Sequence, residues 1–176
     1  MLTKTLLLGG ARSGKSSYAE ALLAGGTVDY LATARRDVAD QEWEERIAGH
    51  IARRPPSWRT VEPTDLVADL RAPRSRPVLV DDLGVWLTGE LDDLGAWTNT
   101  EQAMSRVRER AAELVAAVAQ CPERLVLVSP EVGSGVVPQT RAGRLFRDEL
   151  GALNMAVAAV CDEVLLVVAG LPVRLR

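Results

Sequence analysis

The stretch Gly9-Gly10-Ala11-Arg12-Ser13-Gly14-Lys15-Ser16 decides the fold of this chain. It satisfies the pattern G-x-x-x-x-G-K-[ST], and it lies between a predicted strand and a predicted helix, which is the context that the pattern requires. Glycines let the backbone wrap an anion with successive N–H groups pointing inward, and the helix N-terminus adds partial positive charge. Lys15 can then reach the β- and γ-phosphates of a nucleotide, and the Ser16 hydroxyl can bind Mg²⁺. The stretch therefore predicts a phosphate-binding P-loop.

Short apolar runs alternate with longer amphipathic segments along the chain, which predicts repeated βα units. The predicted strands are rich in Val and Leu: Thr3–Leu8, Val28–Leu31, Val78–Val80, Leu125–Val128 and Val164–Val168. The predicted helices are Lys15–Ala24, Val38–Arg54, Thr100–Ala119 and Arg141–Val160. Strands with so little polar alternation are covered on both faces. We therefore expect a P-loop NTPase-like, three-layer α/β fold with a mostly parallel central sheet.

Length and composition favour one domain, residues 1–176, because no internal repeat or long linker divides the chain. The formal net charge of −3 gives no reason to expect a nucleic-acid partner. The apolar runs are too short to span a bilayer, and no signal peptide is recognised. The two cysteines, Cys121 and Cys161, are far apart in sequence, which argues against a disulfide scaffold or zinc site and favours the cytoplasm.

A carboxylate suited to a bound metal follows the third predicted strand. Asp81 and Asp82 end the apolar run Val78–Val80, where P-loop proteins place an acid that holds Mg²⁺. Asp81 is the better candidate because it directly follows the run. The sequence therefore predicts Ser16 and Asp81 as the metal ligands. Neither an N-K-x-D segment nor an ABC-type signature is present, so the short chain favours a small-molecule transferase.

The chain has a single histidine, His50, with Arg46 and Arg54 one helical turn to either side. A lone histidine at the edge of an apolar helix stripe is commonly a half-buried structural residue. Flanking cations, however, lower the pKa of a histidine and keep the imidazole neutral and nucleophilic. The residues alone leave both interpretations open.

Several motifs in the same order resemble the bifunctional adenosylcobinamide kinase / adenosylcobinamide-phosphate guanylyltransferase family of cobalamin biosynthesis. The likeness runs nearly end to end, and it rests on these segments: the P-loop at 9–16, Tyr30-Leu31-Ala32-Thr33-Ala34, Arg46-Ile47-x-x-His50, Arg54-Pro55, Trp58-Arg59-Thr60-Val61-Glu62, Glu131-Val132-Gly133-x-Gly135-Val136-Val137-Pro138, Phe146-Arg147-Asp148, Gly151-x-x-Asn154 and Val167-Val168-x-Gly170.

The resemblance implies two reactions that use GTP, ATP and Mg²⁺. A nucleoside triphosphate phosphorylates the aminopropanol hydroxyl of adenosylcobinamide; GTP then guanylylates a histidine, and GMP passes to adenosylcobinamide phosphate to give adenosylcobinamide-GDP. The resemblance assigns the guanylylated histidine to His50, and the P-loop pattern gives Lys15 its catalytic role at the terminal phosphates. It implies further nucleotide contacts at Thr33, Ala34, Arg35, Ile51, Ala52, Arg53, Arg54, Glu62 and Asp81. It also implies a homo-oligomer, namely a trimer. Either Asp81 or Glu131 is available to deprotonate the substrate hydroxyl.

Four positions depart from the family's usual pattern. Pro130 replaces an Asn before Glu131, Gly84 a Thr, Gly89 an Asn, and Met155 a Gln. These departures cluster on the expected corrinoid side, not in the P-loop. They keep two alternatives in view: a kinase for another small alcohol with a structural His50, and a nucleotide-binding regulatory protein that has lost catalysis.

Two further expectations concern packing. The segment Gly133–Pro138 combines glycines with a proline after a strand, so we expect a mobile loop that closes over substrate. The four tryptophans are expected in the core: Trp43, Trp58, Trp86 and Trp97.

Overall fold

The computed structural model describes residues 3–35, 41, 48–49, 54–98 and 100–176. Seven strands form one sheet in this part of the chain: β1 (Lys4–Gly9), β2 (Asp29–Ala32), β3 (Arg59–Val61), β4 (Val78–Asp81), β5 (Leu125–Pro130), β6 (Glu163–Val168) and β7 (Leu171–Arg174). The α-helices in the same part of the chain are α1 (Lys15–Leu22), α2 (Leu66–Arg71), α3 (Leu83–Asp93), α4 (Glu101–Gln120) and α5 (Arg141–Val160), and a 3₁₀ turn spans Ala96–Thr98.

The sheet has the strand order β3-β2-β4-β5-β1-β6-β7. Every pair is parallel except β6 with β7. The carboxyl ends of β1 to β6 therefore meet at one edge of the sheet, where α/β proteins bind their ligands. The predicted mostly parallel α/β sheet is confirmed.

Apolar side chains cover both faces of the sheet, which gives the three expected layers. Neighbouring residues of a strand alternate between the faces: Leu6 belongs to the larger core and Leu7 to the smaller one. The larger core lies under α2 to α5, and the smaller core contains Ala19 of α1 together with Tyr30 and Leu79.

Polar residues start four of the helices by accepting hydrogen bonds from free backbone N–H groups. Asp65 caps α2, Asp82 caps α3, Thr100 caps α4 and Thr140 caps α5. Arg110 then ties three of these helices together, because its guanidinium contacts Asp65, Glu90 and Glu113. The caps and this cluster fix the helices that face the larger core.

Apart from the helix predicted over 38–54, the predicted elements agree with the structure to within two residues at each end. The predicted helix Val38–Arg54 falls mostly outside the described residues; Arg54, at its predicted end, lies in a bend rather than in a helix. Four elements were not predicted: β3, α2, α3 and β7. Trp58 and Trp86 are buried and Trp97 packs against the larger core, as expected, whereas Trp43 lies outside the described residues.

No helix among the described residues is both long and apolar enough to cross a membrane.

Candidate functional site

The predicted P-loop connects β1 to α1 and wraps tightly. Gly14 caps α1 with φ 91°, a conformation that L side chains rarely adopt, and a Cβ there would lie 3.1 Å from Gly170 Cα. Arg12 also has a positive φ, 55°. The Gly170 N–H donates to the Ser13 carbonyl at 2.8 Å, which anchors the loop to the turn after β6. Because Gly14 has no capping side chain, the first N–H groups of α1 remain available to an anion.

Lys15 and Ser16 begin α1 beside this loop. Lys15 Nζ donates to the Gly10 carbonyl at 3.4 Å, so the ammonium group lies over the loop. Ser16 Oγ donates to Asp81 Oδ1 at 3.2 Å. Asp81 ends β4, and β5 separates that strand from β1. The structure thus brings the two predicted metal ligands together, although they are 65 positions apart in sequence.

The Ser16–Asp81 pair fits Mg²⁺, which prefers oxygen ligands and commonly takes one or two protein oxygens together with phosphates and water. Within the part of the chain that the structure describes, no cluster of three or more His, Cys, Asp or Glu residues is arranged to hold a metal. Mg²⁺ in proteins commonly completes its ligand set with phosphate oxygens and water.

The second oxygen of Asp81 accepts a hydrogen bond from a buried tyrosine. Tyr30 Oη lies 2.6 Å from Asp81 Oδ2, and the residue is 1% exposed. Burial, together with the Asp81 charge, raises the pKa of Tyr30 far above its ordinary value of 10.0, so the hydroxyl keeps its proton. Both oxygens of Asp81 therefore have a hydroxyl donor, one from α1 and one from β2.

Asp82 plays a structural part next to this carboxylate. Its Oδ1 accepts from the Val85 N–H at 2.8 Å, and its carbonyl accepts from Thr33 Oγ1 at 2.7 Å. Burial raises the pKa of the Asp82 carboxyl above its ordinary value. Asp82 thus joins the start of α3 to the end of β2.

Arg54 lies over the Tyr30 ring. Its guanidinium carbon is 3.5 Å from the ring centroid, and its Nη1 donates to Thr60 Oγ1 at 2.8 Å. A cation at this distance from an aromatic face is attracted by the ring quadrupole. The structure therefore places Arg54, a predicted nucleotide contact, beside the tyrosine that holds Asp81.

Arg35 follows β2 and makes a bidentate ion pair with Asp93, the last residue of α3. Its guanidinium lies against Gly89, where a Cβ would approach Arg35 Nη2 to 2.9 Å. The Asp93 hydrogen bond, the largest influence, raises the Arg35 pKa and keeps its charge fixed.

The predicted site residues that the structure describes lie at one edge of the sheet, since they follow the carboxyl ends of parallel strands. They are the P-loop after β1, Thr33, Ala34 and Arg35 after β2, Glu62 after β3, and Asp81 at the end of β4. The predicted contacts at His50, Ile51, Ala52 and Arg53 lie outside the described residues, as does Arg46.

The end of β5 reaches the same edge. Pro130 pairs with Gly9 in the β1–β5 register, and the Glu131 N–H donates to the Gly9 carbonyl at 3.0 Å. Glu131 Oε1 accepts from the N–H groups of Gly133 and Ser134 at 2.6 and 3.1 Å. The segment Gly133–Pro138 is largely exposed, with Val136 at 95%. Its closure over substrate remains a prediction.

A comparison with known protein families agrees with this geometry. The family model described as cobinamide kinase / cobinamide phosphate guanyltransferase matches residues 5–175. The chain belongs to this family. It is therefore a nucleotide-binding transferase of cobalamin biosynthesis.

Individual relatives agree with this membership. The chain is 45% identical to the bifunctional adenosylcobalamin biosynthesis protein CobP of Pseudomonas aeruginosa, over 98% of this chain and 97% of that protein. It is 41% identical to the bifunctional adenosylcobalamin biosynthesis protein CobU of Salmonella typhimurium, over 97% of this chain and 98% of that protein. The Escherichia coli CobU is 39% identical over the same shares.

A similarity to a solved structure supports the fold alone. A prototypical ATPase from the type III secretion system of pathogenic bacteria superposes with a TM-score of 0.53 at 11% identity. The match covers 93% of this chain and 50% of that one, so this chain spans about half of the ATPase.

The four departures from the family pattern occupy three different environments. A Cβ on Gly84 would lie 2.6 Å from Pro130 Cγ, so the proline ring fills the space beside the glycine. Gly89 makes room for the Arg35 guanidinium in the same way. Met155 is 73% exposed on α5, directly after the buried Asn154.

Sequence reasoning did not identify Tyr30 as the partner of Asp81, nor Asp93 and Gly89 as the partners of Arg35. One signal for Tyr30 was present: it lies in a short apolar strand, and a buried phenol needs a hydrogen-bond partner. Nothing local marks Asp93, which follows Arg35 by 58 positions.

Proposed function

We propose that this chain phosphorylates the aminopropanol hydroxyl of adenosylcobinamide and then transfers GMP from GTP to the product. The final product is adenosylcobinamide-GDP, an intermediate in assembly of the cobalamin nucleotide loop. The observation that carries the proposal is the convergence of the P-loop and the Ser16–Asp81 pair at one sheet edge, in a member of this family. Arg35 and Arg54 flank that edge and supply cations for the nucleotide phosphates.

In the kinase step the P-loop holds the nucleoside triphosphate, ATP or GTP, with the N–H groups of α1 and Lys15 directed at the phosphates. Ser16 and Asp81 would hold Mg²⁺, which would supply positive charge to the phosphate groups. The substrate oxygen attacks the γ-phosphorus, the bond to the bridging oxygen breaks, the nucleoside diphosphate leaves, and the hydroxyl proton passes to Glu131 or to solvent. Asp81 is poorly placed to accept the substrate proton, because both of its oxygens already accept hydrogen bonds from hydroxyl groups.

In the guanylyl step a nitrogen of the His50 imidazole attacks the α-phosphorus of GTP and pyrophosphate leaves. A phosphate oxygen of adenosylcobinamide phosphate then attacks the same phosphorus and releases the histidine. His50 is the only histidine in the chain, so no second imidazole can substitute for it. Arg54, four positions later, is held beside Asp81 by Tyr30 and carries a charge suited to the nucleotide phosphates.

The test is labelling with α-³²P-GTP. The wild-type protein should acquire an acid-labile label, because a phosphoramidate hydrolyses in acid. His50→Ala should lose the label and the formation of adenosylcobinamide-GDP, while phosphorylation of adenosylcobinamide continues, since that step needs no histidine nucleophile. Retained labelling would refute the nucleophile. Equal loss of both activities in a folded variant would show that the two steps share His50.

We also propose a cytoplasmic homo-oligomer, a trimer. The supporting observation is the edge strand β7, which exposes Leu171 and Val173 at 70% and 51%, followed by Leu175 at 58% in the next alternate position. An exposed apolar edge strand favours pairing with another chain. Light scattering coupled to gel filtration should give three times the chain mass of 19.0 kDa; the mass of a monomer would contradict the proposal.

A further inference from the structure

Tyr30 contacts Asp81 through its hydroxyl and Arg54 through the face of its ring. Its hydroxyl donates to Asp81 Oδ2 at 2.6 Å, while Ser16 donates to Asp81 Oδ1 at 3.2 Å. The face of its ring lies under Arg54, whose guanidinium carbon is 3.5 Å from the centroid.

Strand register explains why these groups meet. Tyr30 pairs with Leu79 of β4 and with Thr60 of β3, and Ala32 pairs with Asp81. Because side chains two positions apart share a face, Tyr30, Thr60 and Asp81 all point to the face that α1 covers. Asp81 lies two residues beyond Leu79, the β4 partner of Tyr30, and the phenol side chain is long enough to reach it.

The Tyr30 ring is also buried next to a second aromatic ring, that of Trp58. Tyr30 is 1% exposed, and the Trp58 ring lies 6.3 Å away, tilted by 36°. Arg54 is in turn fixed by its hydrogen bond to Thr60 at 2.8 Å. Each partner of Tyr30 therefore has a defined position.

We propose that Tyr30 is a positioning residue with two separable contacts: its hydroxyl orients the Asp81 carboxylate for Mg²⁺, and its ring orients Arg54 for the nucleotide phosphates. This inference rests on the proposed function, in which Asp81 is a metal ligand and Arg54 a phosphate contact. The hydroxyl holds one Asp81 oxygen so that the other faces Ser16 and the metal. Outer partners of this kind typically change metal affinity by roughly tenfold or more.

The hydroxyl contact is tested with Tyr30→Phe, which keeps the ring. The readout is the dissociation constant of Mn²⁺, used as a paramagnetic probe for Mg²⁺, measured by electron paramagnetic resonance on the protein saturated with GDP. We expect Mn²⁺ to bind roughly tenfold more weakly. Metal-free GDP affinity should stay within about twofold of wild type, because the Arg54 contact with the ring is retained.

Two control variants define the result. Tyr18→Phe removes a hydroxyl from α1 for which the described part of the chain shows no hydrogen bond, so Mn²⁺ binding should be unchanged. Asp81→Asn should weaken Mn²⁺ binding at least as much as Tyr30→Phe does. If Asp81→Asn weakens binding and Tyr30→Phe does not, the positioning role is refuted and the metal role of Asp81 stands. If neither weakens it, the metal role of Asp81 is refuted and the hydroxyl contact with it.

The ring contact is tested with Tyr30→Met, which fills much of the same volume without an aromatic face. Metal-free GDP should bind roughly threefold to tenfold more weakly to Tyr30→Met than to Tyr30→Phe. Equal GDP affinities in these two variants would overturn the ring contact. Circular dichroism confirms that each variant is folded; Tyr30→Phe is the conservative substitution and keeps the proposal testable if Tyr30→Met does not fold.

Discussion

Gly84 offers a direct test of how the departures from the family pattern fit into this fold. The residue lies in the first turn of α3, beside the Pro130 ring at the end of β5. A Cβ at position 84 would lie 2.6 Å from Pro130 Cγ and 3.0 Å from Cδ. Proline ring atoms are tied to the backbone and cannot rotate away, so Gly84→Ala must move the helix or the strand.

Two opposing effects set the magnitude. Replacing Gly with Ala in a helix gains up to about 1 kcal/mol. Overpacking of a close contact costs about 1–3 kcal/mol. The steric cost is the larger effect, so Gly84→Ala should lower the free energy of unfolding by about 1 kcal/mol. For a chain of this size the melting temperature should fall by about 2–4 °C.

The matched control is Gly151→Ala in α5, where an added Cβ meets nothing within 4 Å. It should stabilise the protein by about 0.5–1 kcal/mol, because only the helix propensity changes. A double-mutant cycle isolates the contact: in a Pro130→Ala background, Gly84→Ala should become stabilising, with a coupling of about 1–3 kcal/mol. Urea unfolding followed by circular dichroism measures the wild type, the three single variants and the double variant. Equal effects of Gly84→Ala in both backgrounds would refute the steric argument.

Three further predictions concern charges at and away from the site. Gly89→Ala should displace the flexible Arg35 side chain at a cost under about 1 kcal/mol and weaken GTP binding; unchanged GTP affinity would contradict the assigned Arg35 contact. Lys15→Ala should lower GTP turnover roughly 100-fold or more, whereas Lys4→Ala, at the opposite end of β1, should not change it. For the buried Asp29, burial, the largest influence, raises the pKa, but Arg59 and Arg74 together lower it below its ordinary 3.8. The resulting stabilisation is present above the unfolded-state pKa and is lost as pH falls through the folded-state pKa. The melting temperature of wild type should therefore fall with pH in this acid range, and the Asp29→Asn variant should lack this contribution. We expect Asp29→Asn to lower the free energy of unfolding by about 3 kcal/mol.

Some strands and helices could be predicted from the sequence because the patterns that mark them are local. The strand before Gly9, the helix after Lys15 and the capped helix Arg141–Val160 each carry an apolar pattern and a recognisable boundary. Asp81 was predicted for the same reason, as the acid directly after an apolar run. All of these positions could be read from a few neighbouring residues.

The elements that were missed draw their stability from tertiary contacts. β3 has only three residues, all at least partly exposed, and forms because its backbone pairs with β2 at the sheet edge. α3 contains Gly84 and Gly89, which lower helix propensity, and it is stabilised by burial of Leu83, Leu87 and Leu91 in the larger core. Such contacts depend on residues far away in sequence, so no local pattern shows them.

The departures from the family pattern bear on whether this chain has kept its chemistry. The Pro130 ring fills the space beside Gly84, and the Arg35 guanidinium fills the space beside Gly89. Pro130 pairs with Gly9 at the start of the P-loop, yet the contacts of Lys15 with Gly10 and of Ser16 with Asp81, which nucleotide chemistry needs, are present. In a protein that had lost catalysis, we would expect those contacts to be altered. Here they are intact, and the space beside each substituted glycine is filled by another side chain. The retained contacts therefore argue against a protein that only binds nucleotide.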